Sequence, residues 1–321
     1  MFEVLRYNSK NKEEWDSFVP EKNNGTIFHL RTFLNYHPKS RFQDHSLLFY
    51  KKKNLFAVFP AAQKMIDNKS YLISHPGSTL GSFVIPEDLS ISDSMSLVEC
   101  LLQYCKSKNI DNIRVTTPPN LYQYRLSNYI DFAFLKNNFY YLKRDVTSIL
   151  YLENTIDETL KKFRPSHKRA IKKGIKKGLT CRLNTDIKSF YKILEQNLNI
   201  RHGVTPTHTL EELIELFKIF PEKIKLFSSF YKGEMVAGVV NFVVNEHVVL
   251  AFYISHNQEY NDLSPLNLLF FSMFEWAIKS NYKIYDFGIF TVDGVPNMGL
   301  GRFKENFGAS GIFRDTFEIA L

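Results

Sequence analysis

The feature that most constrains the fold is a pair of sequence patterns that each occur twice. Residues 49–57 combine Phe-Tyr-Lys, a short turn and a strand pattern, and a similar arrangement returns at residues 230–237. Residues 106–113 end a helical pattern and begin a strand, as residues 279–284 do. Supersecondary patterns that return in the same order indicate repetition of one structural unit. The sequence therefore predicts a duplicated α/β unit with its boundary near residues 145–155.

The predicted elements of the two halves agree in type and order. Strand pairs are predicted within residues 46–66, with the strands at 46–51 and 55–66, and within residues 224–244. Amphipathic helical patterns near residues 94–108 and 265–279 each precede a short strand. Residues 120–147 are rich in aromatic residues and lack a regular pattern, so the sequence does not predict which elements they form.

The predicted fold class is α/β, with α+β character. Residues 1–150 and residues 151–321 would each form a domain with a mixed, largely antiparallel sheet flanked by helices. The chain has 321 residues, of which 44% are hydrophobic, so it is long enough to build two cores.

Cysteine usage and hydropathy exclude several classes of protein. The three cysteines show no paired spacing, which argues against a disulfide framework and a zinc site. The first residues do not have the pattern of a signal peptide. The longest apolar run, Leu266 to Ile278, is interrupted by polar residues and is too short to span a bilayer. We expect a cytoplasmic protein without a transmembrane segment or a metal site.

The positive charge of the chain is concentrated in one segment, residues 161–177. The formal net charge is +8, and this segment carries nine basic and no acidic residues, so the remainder is close to neutral. Basic residues at i, i+4 spacing repel one another by a few tenths of a kcal/mol per pair, and a merely solvated helix face usually mixes charges. The segment predicts a helix, begun by Pro165 and closed by Gly178, that contacts phosphate or tRNA, with a solvated face as the alternative. Phe163, Ile171 and Ile175 are predicted to form its buried side. The chain contains no recognised DNA-binding motif, so no DNA partner is expected.

A second notable stretch lies near the C-terminus. Residues 283–287 alternate and end in Asp286, which predicts a strand that runs into a loop. Glycines follow at positions 288, 294, 299 and 301, and then Lys304 lies between Phe303 and Phe307. The aromatic neighbours predict a lysine held towards an anionic group. The alternative is a lysine whose stem covers apolar surface while its ammonium group stays in water.

These patterns together resemble the Fem family of peptidoglycan-bridge aminoacyltransferases and its GNAT-related cousins. The resemblance rests on the basic helix, on Asn-Ile-Arg-His-Gly at 199–203, on Ala-Phe-Tyr at 251–253 and on Phe303-Lys304. It covers most of residues 155–310, whereas the N-terminal half matches only in element order. The family implies two tandem GNAT-like domains, in which the N-terminal domain is degenerate and either holds the acceptor or is structural.

The chain departs from acetyl-CoA-dependent GNAT proteins at one place. Those proteins carry a Gln/Arg-x-x-Gly-x-Gly/Ala loop that binds pyrophosphate at a helix N-terminus. Here residues 256–265 read His-Asn-Gln-Glu-Tyr-Asn-Asp-Leu-Ser-Pro, without those glycines. Fem proteins also lack that loop and use aminoacyl-tRNA as donor. The chain has no heptad run like the coiled coil that some Fem members insert.

The resemblance implies roles for individual residues. The catalytic candidates are Lys304, at the acyl-transfer centre, and Tyr253. Arg201 would hold an acceptor phosphate or carboxylate, since a guanidinium can donate two parallel hydrogen bonds. The other substrate-binding candidates are Phe303, Asn267, Ser264, Lys168, Lys172 and Lys173. Structural alternatives stay open: Arg201 as a cation at a helix C-terminus, Tyr253 in the core, and Ser264 and Asn267 as helix caps.

The expected function is an N-acyltransferase involved in cell-envelope biosynthesis. An aminoacyl or acyl group would move from aminoacyl-tRNA or acyl-CoA to an amine of a peptidoglycan or surface-polysaccharide precursor. The donor is a cosubstrate, so no bound cofactor is expected. The expected partners are the amine-bearing precursor and, if aminoacyl-tRNA is the donor, tRNA. One alternative is an acetyl-CoA-dependent amino-sugar N-acetyltransferase. An alternative of another class is a non-catalytic protein that binds RNA or phosphate.

Overall fold

The computed structural model describes residues 2–38, 40–202 and 205–321, and it leaves out the side chains of residues 199–202. The chain divides into two compact units. The N-terminal unit contains Met1–Asp145 and Phe313–Leu321, and the C-terminal unit contains Val146–Ile312. The last nine residues thus group with the beginning of the chain.

The N-terminal unit contains the predicted strand at residues 46–51 and the predicted helix near residues 94–108. Its helices are α1 (Lys12–Phe18), α2 (Arg31–Leu34), α3 (Ile91–Ser107) and α4 (Tyr129–Lys136). Its strands are β1 (Glu3–Arg6), β2 (Gln43–Asp44), β3 (Leu47–Lys51), β4 (Asn54–Phe59), β5 (Ala62–Ile66), β6 (Lys69–Ser74) and β7 (Asn112–Thr116). The predicted single strand 55–66 is wrong: it divides at Pro60, which has no N–H for a sheet ladder.

Two sheets organise the N-terminal unit. One has the strand order β1-β3-β4, and the other begins β2-β5-β6-β7. β5 and β6 are antiparallel, and α3 connects β6 to the parallel strand β7. The side chain of Ser90 caps α3 by accepting a hydrogen bond from the Asp93 N–H, and Leu97 and Leu101 on the inner face of the helix are fully buried. Residues 316–320 then pair antiparallel with β7 on its other side.

The C-terminal unit is entered within β8 (Tyr140–Tyr151), which crosses the boundary at residue 146. Its helices are α5 (Ile156–Lys161), α6 (Pro165–Lys176), α7 (Ile187–His202), α8 (Leu210–Ile219), α9 (Pro265–Lys279) and α10 (Met298–Glu305). Its strands are β9 (Thr180–Asn184), β10 (Ile224–Tyr231), β11 (Glu234–Val243), β12 (Val248–His256), β13 (Ile284–Ile289), β14 (Thr291–Val292) and β15 (Val295–Pro296); β16 (Ser310–Ala320) begins in this unit and ends in the other.

The sheet of the C-terminal unit has the strand order β8-β13-β12-β11-β10-β9. β9 to β12 are successively antiparallel, α9 connects β12 to the parallel strand β13, and β8 pairs antiparallel with β13. The core of this unit is rich in aromatic residues, and Phe270, Phe274 and Phe307 in it are fully buried. Burial of such large side chains is the main favourable term in the stability of the unit.

The structure confirms the α/β class and the mixed sheets flanked by helices. In each unit a helix connects two parallel strands, β6 and β7 or β12 and β13, and the second strand of the pair has an antiparallel neighbour on its other side. This shared order supports the duplication, and the description of residues 1–150 and 151–321 as two GNAT-like copies stays a prediction. None of the helices in the described residues is long and apolar enough to cross a bilayer.

The glycine-rich stretch before Lys304 differs from the prediction of a loop. Residues 291–296 form the short hairpin β14–β15, and Gly299, Gly301 and Lys304 lie on α10. The side chain of Asn297 caps this helix by accepting a hydrogen bond from the Leu300 N–H. Gly301 lies close to the ring of Phe290, where an added Cβ would come within 3.1 Å of a ring carbon. The sequence pattern missed the helix because two glycines lower its intrinsic propensity.

A carboxyl group on α4 makes the stability of the N-terminal unit depend on pH. Burial, together with the nearby Asp315 carboxylate, raises the pKa of Asp131 from 3.8 to about 7. The folded state therefore binds this proton more tightly than the unfolded state, so the free energy of unfolding falls as pH rises from about 4 to about 7. We expect the Tm of Asp131→Asn to fall less than that of the unmodified protein between about pH 5 and pH 8. The exposed carboxyl variant Asp88→Asn serves as control, and identical Tm profiles for Asp131→Asn and the unmodified protein would contradict the prediction.

Candidate active site

The candidate site lies in the C-terminal unit, where two parallel strands separate. β12 and β13 pair through Val248–Leu250 and Ile284–Asp286. β12 then continues to His256 and β13 to Ile289, beyond the paired positions. A bulge between Val240 and Asn241 shifts the register of β11 against β12 near the same level. A split of this kind leaves the backbone of two neighbouring strands available to a ligand or to side chains.

Lys304 contacts one side of this split. Its side chain is fully buried, and its Nζ donates hydrogen bonds to the carbonyl oxygens of Gly288 (2.7 Å) and Ile289 (2.8 Å) at the end of β13. A buried ammonium group is costly unless it is hydrogen-bonded, and these carbonyls meet part of that requirement. The structure therefore places the Lys304 ammonium group beside the β13 backbone rather than in water. The alternative of a solvated ammonium group is wrong.

Asp286 completes the support of the same segment. It is fully buried, and its Oδ1 accepts hydrogen bonds from the Thr147 hydroxyl and from the Gly288 N–H, at 2.7 Å for the latter. Gly288 has φ = +76°, a conformation that side-chain-bearing residues rarely adopt. Asp286 and Lys304 thus satisfy the N–H and the C=O of the same glycine. From the sequence, Asp286 ends a strand and could satisfy amides of the following loop, and the structure confirms this role for the Gly288 N–H.

The aromatic neighbours of Lys304 belong to the core of the unit. Phe303 is half-buried, and its ring centroid lies 5.2 Å from that of Phe307 and 5.9 Å from that of Phe270. His167 of α6 lies against both Phe303 and Phe307, at 5.4 and 4.4 Å between ring centroids. Burial lowers the pKa of His167, so its ring is favoured in the neutral form. The proposed contact of Phe303 with substrate stays a prediction, and these packing contacts fix the position of α10.

Tyr253 has a partner that sequence reasoning missed. Its hydroxyl oxygen accepts a hydrogen bond from the His208 N–H (3.2 Å) and lies 2.7 Å from His208 Nδ1. Burial raises the pKa of Tyr253 to about 12. The hydroxyl is therefore protonated at neutral pH and can donate its proton in a hydrogen bond to His208. Because the two residues lie far apart along the chain, no local spacing could have revealed the pair.

Ser264 and Asn267 lie at the N-terminus of α9. Ser264 occupies the N-cap position in a left-handed conformation, with φ = +50°, and its side chain makes no capping hydrogen bond. Asn267 is buried, and its Nδ2 has no hydrogen-bond partner among the described residues. Burial of an amide without a hydrogen-bond partner costs about 1–3 kcal/mol, and Asn267 carries this cost among the described residues. Neither side chain serves as the helix cap that was the alternative for them.

The basic helix α6 has the predicted bounds, and its buried side differs from expectation. His167, Ile171 and Gly174 are buried, whereas Ile175, predicted to be buried, is 56% exposed. An added Cβ at Gly174 would lie 3.0 Å from Leu179 and 3.6 Å from the Leu263 carbonyl oxygen, so the helix packs most closely there. That close approach centres the buried stripe on residues 167, 171 and 174 and turns Ile175 outward.

The remaining residues predicted to contact substrate are exposed or half-buried on α6, or have side chains outside the described residues. Lys172 and Lys173 are exposed and Lys168 is half-buried, so α6 presents much of its positive charge to solvent. Arg201 lies in the last turn of α7, and its side chain lies outside the described residues. The structure places Lys304 and Asp286 together and Ser264 and Asn267 together, and it assigns no ligand to either pair.

The split parallel strand pair and the helices around it can be compared with the folds of known proteins. Residues 161–304 match the acetyltransferase (GNAT) domain family. The match begins just before α6 and ends at Lys304 itself. The C-terminal unit therefore carries a GNAT domain, and the chain is an acyltransferase. No curated protein matches the chain significantly.

Solved structures extend the similarity to the whole chain. FemX aligns with a TM-score of 0.76 at 13% identity and covers 99% of this chain and 97% of its own. The C-terminal domain of a putative lysylphosphatidylglycerol synthetase from Agrobacterium fabrum aligns at 0.62, with 10% identity and 97% and 92% coverage. A tandem GNAT protein from the clavulanic acid biosynthesis pathway aligns at 0.59, with 7% identity and 100% and 98% coverage. The chain therefore has a Fem-like, tandem GNAT fold.

Substitution of Asp286 tests how much its hydrogen bonds at the split of β12 and β13 contribute to the stability of the protein. Asp286→Ala removes the acceptor of the half-buried Gly288 N–H and of the fully buried Thr147 hydroxyl, and we expect it to lower the free energy of unfolding by about 1–3 kcal/mol. Asp286→Asn keeps an oxygen at Oδ1 and should cost less. Urea denaturation measures both, with Glu305→Ala, an exposed carboxylate on α10, as control. Equal losses in the Ala and Asn variants would contradict the assignment of Oδ1 as the essential acceptor.

Proposed function

We propose that the protein is an N-acyltransferase that moves an aminoacyl or acyl group from an activated, phosphate-bearing donor to an amine of a cell-envelope precursor. The GNAT domain supports acyl transfer. The Fem-like motifs and the similarity to FemX and to a putative lysylphosphatidylglycerol synthetase support a substrate of the cell envelope. A peptidoglycan or surface-polysaccharide precursor is the acceptor that fits this resemblance, and a cytoplasmic location follows from it.

The observation that carries the proposal is the contact between α6 and the start of α9. Gly174 brings the basic helix against the Leu263 carbonyl, one residue before the N-cap of α9. The N-terminus of a helix favours anions, and the segment that contains α6 carries nine basic residues, which add a strong positive field. Aminoacyl-tRNA and acyl-CoA both carry phosphates. A donor held here would have its charged part near α6, and Ser264 and Asn267 would be among its first contacts.

The chemistry required is attack of an amine on an ester or thioester carbonyl. A C–N bond forms, the C–O or C–S bond to the carrier breaks, and one proton of the neutral amine passes to the leaving hydroxyl or thiol of the carrier. Alignment of the two substrates and stabilisation of the oxyanion are the main contributions that such a protein makes. We propose that the charge of Lys304, held at the end of β13, stabilises the oxyanion. Tyr253 stays protonated and would orient a substrate by hydrogen bonding rather than act as a base.

The donor can be identified by assay of the purified chain with acetyl-CoA and with charged tRNA, using amine acceptors of both kinds. Turnover with charged tRNA and a peptidoglycan precursor supports the Fem-like reaction. Turnover with acetyl-CoA and an amino sugar supports the alternative N-acetyltransferase. Tight binding of uncharged RNA without turnover of any donor would favour the non-catalytic protein and contradict the proposal.

Lys304→Met tests the role of the buried ammonium group, because it keeps most of the stem and removes the charge. We expect turnover per folded molecule to fall by about 10²–10³, with substrate affinity changed much less. The substitution also removes a donor from the Gly288 and Ile289 carbonyls, so the folded fraction is measured by circular dichroism and assays are run well below the Tm. Lys283→Met, on an exposed lysine just before β13, is the matched control.

The outcomes of this experiment separate two roles. A lower Tm with normal turnover per folded molecule would make Lys304 a structural residue and contradict its assignment to the reaction. Lys304→Arg provides a second measurement, since it keeps the charge and alters the hydrogen-bond geometry; partial recovery of turnover relative to the Met variant is expected.

The basic helix is tested by a triple substitution of Lys168, Lys172 and Lys173 to Gln. If all three contact single-stranded phosphates, the slope of log K against log salt falls by about two, and affinity for the donor drops. Changes at the exposed Lys172 and Lys173 cost under about 0.5 kcal/mol each, and Gln at the half-buried Lys168 keeps part of the apolar stem, so the protein should stay folded. The control replaces three exposed lysines of the N-terminal unit, Lys64, Lys69 and Lys106, with Gln. Equal affinity and equal salt slope in the two triple variants would show that α6 is only a solvated helix face.

A further inference from the structure

A band of exposed apolar side chains lies in the N-terminal unit, apart from the residues assigned to acyl transfer. Eight large apolar residues between positions 124 and 142 are exposed, in the same segment whose sequence predicted no order. We call the best-defined part the aromatic band: Tyr129, Phe132, Leu135, Tyr141 and Phe313, each between 38% and 51% exposed. Scattered exposed apolar residues are ordinary, whereas a contiguous group marks a surface of interaction.

Helix α4 contributes three members of the band to one side of a single helix. Tyr129, Phe132 and Leu135 are spaced at i, i+3 and i+6, which places them along one stripe. Ile130, Ala133 and Phe134 form the opposite stripe and are buried in the core of the unit. The helix is therefore apolar on both sides, and only one side is covered by the unit itself.

The other two members lie beside α4 rather than elsewhere on the unit. The Arg144 guanidinium lies over both rings, 4.4 Å from the centroid of Tyr141 and 3.9 Å from that of Phe313. Arg144 also forms an ion pair with Asp315 at 2.8 Å. Asp131 of α4 is close enough to this pair that Asp315 and Arg144 both act on its pKa. Asp131 and Leu135 are one turn apart on α4, so the strand and helix members adjoin.

The charges around the band are mainly positive. Arg125, Lys136 and Lys143 are exposed in the same segment. Two carboxylates on the strands that carry Tyr141 and Phe313 lie beside cations: Asp315 pairs with Arg144, and Asp145 lies 3.5 Å from Lys143. A binding partner that covers the band therefore meets apolar rings surrounded by cations.

We propose that the aromatic band docks the N-terminal unit on the surface of an anionic phospholipid bilayer. Tyrosine and phenylalanine beside Lys and Arg are the side chains that suit the headgroup boundary, where rings enter the apolar layer and cations meet phosphates. Interfaces between proteins are depleted in lysine, so the mixture favours a lipid surface over a second copy of the chain. Docking of this kind is reversible and goes beyond the proposed acyl transfer, on which it does not depend.

The test measures sedimentation of the full chain with vesicles of phosphatidylglycerol and phosphatidylcholine, and with vesicles of phosphatidylcholine alone. We expect binding to the anionic vesicles, weakened by salt, because attraction between exposed charges is screened. Phe132→Ser with Leu135→Ser should lower the partition coefficient by about tenfold, because two apolar side chains no longer enter the bilayer. Arg125→Gln with Lys136→Gln should lower it on the anionic vesicles alone.

Two controls make the result specific to the band. Met65→Ser with Leu183→Ser replaces two apolar residues that are at least as exposed, at 62% and 52%, and should bind as the unmodified protein does. The α6 triple variant removes a second source of attraction to anionic vesicles. The proposal would be overturned if the α6 triple variant were the only one to lose binding, or if the Phe132/Leu135 variant bound vesicles as well as the unmodified protein. A concentration-dependent dimer in sedimentation equilibrium that the Phe132/Leu135 variant abolishes, without vesicle binding, would also overturn it.

Discussion

The C-terminal unit depends on how buried backbone groups are satisfied where β12 and β13 part. Beyond the paired residues, the strands can no longer rely on each other for hydrogen bonds, and an unpaired buried backbone group costs as much as a lost hydrogen bond. Asp286 supplies an acceptor to the Gly288 N–H, and Lys304 supplies donors to the next two carbonyls. A carboxylate and an ammonium group thus make the hydrogen bonds that a neighbouring strand makes elsewhere in the sheet.

The position of α10 follows from this requirement. Lys304 can reach β13 only if the helix that carries it lies against the aromatic core, and Phe303 and Phe307 hold it there through Phe270 and His167. Gly301 allows the close approach of the helix to Phe290. The conformation of the split, the glycines before Lys304 and the aromatic residues around it therefore form one arrangement. Its charge is fixed in place before any substrate binds, which is what electrostatic stabilisation of an oxyanion requires.

The sequence predicted the regular elements well because their patterns are local. The periodicities of α3, α6 and α9 gave their type and nearly their bounds, and Pro165 and Gly178 marked the limits of α6. The motif at Phe303-Lys304 singled out a lysine that the structure places against the end of β13, and its role in the reaction stays a prediction. What could not be predicted is set by contacts far apart in sequence: the Tyr253–His208 pair, the Asp286–Thr147 bond and the outward turn of Ile175. α10 and α4 were missed for local reasons: glycine lowers helix propensity in α10, and α4, a helix of eight residues, is apolar on two sides and has no single polar face.

One feature of the topology bears on the order in which the protein is made. β7 is flanked by β6 on one side and by residues 316–320 on the other, and the latter are synthesised only after the whole C-terminal unit. Until they emerge from the ribosome, the N-terminal unit has its β7 edge without its native partner, although the first 145 residues are already complete. Exposed strand edges of incomplete sheets are sites of mispairing and aggregation. The nascent chain must therefore keep this edge protected through the synthesis of the entire C-terminal unit.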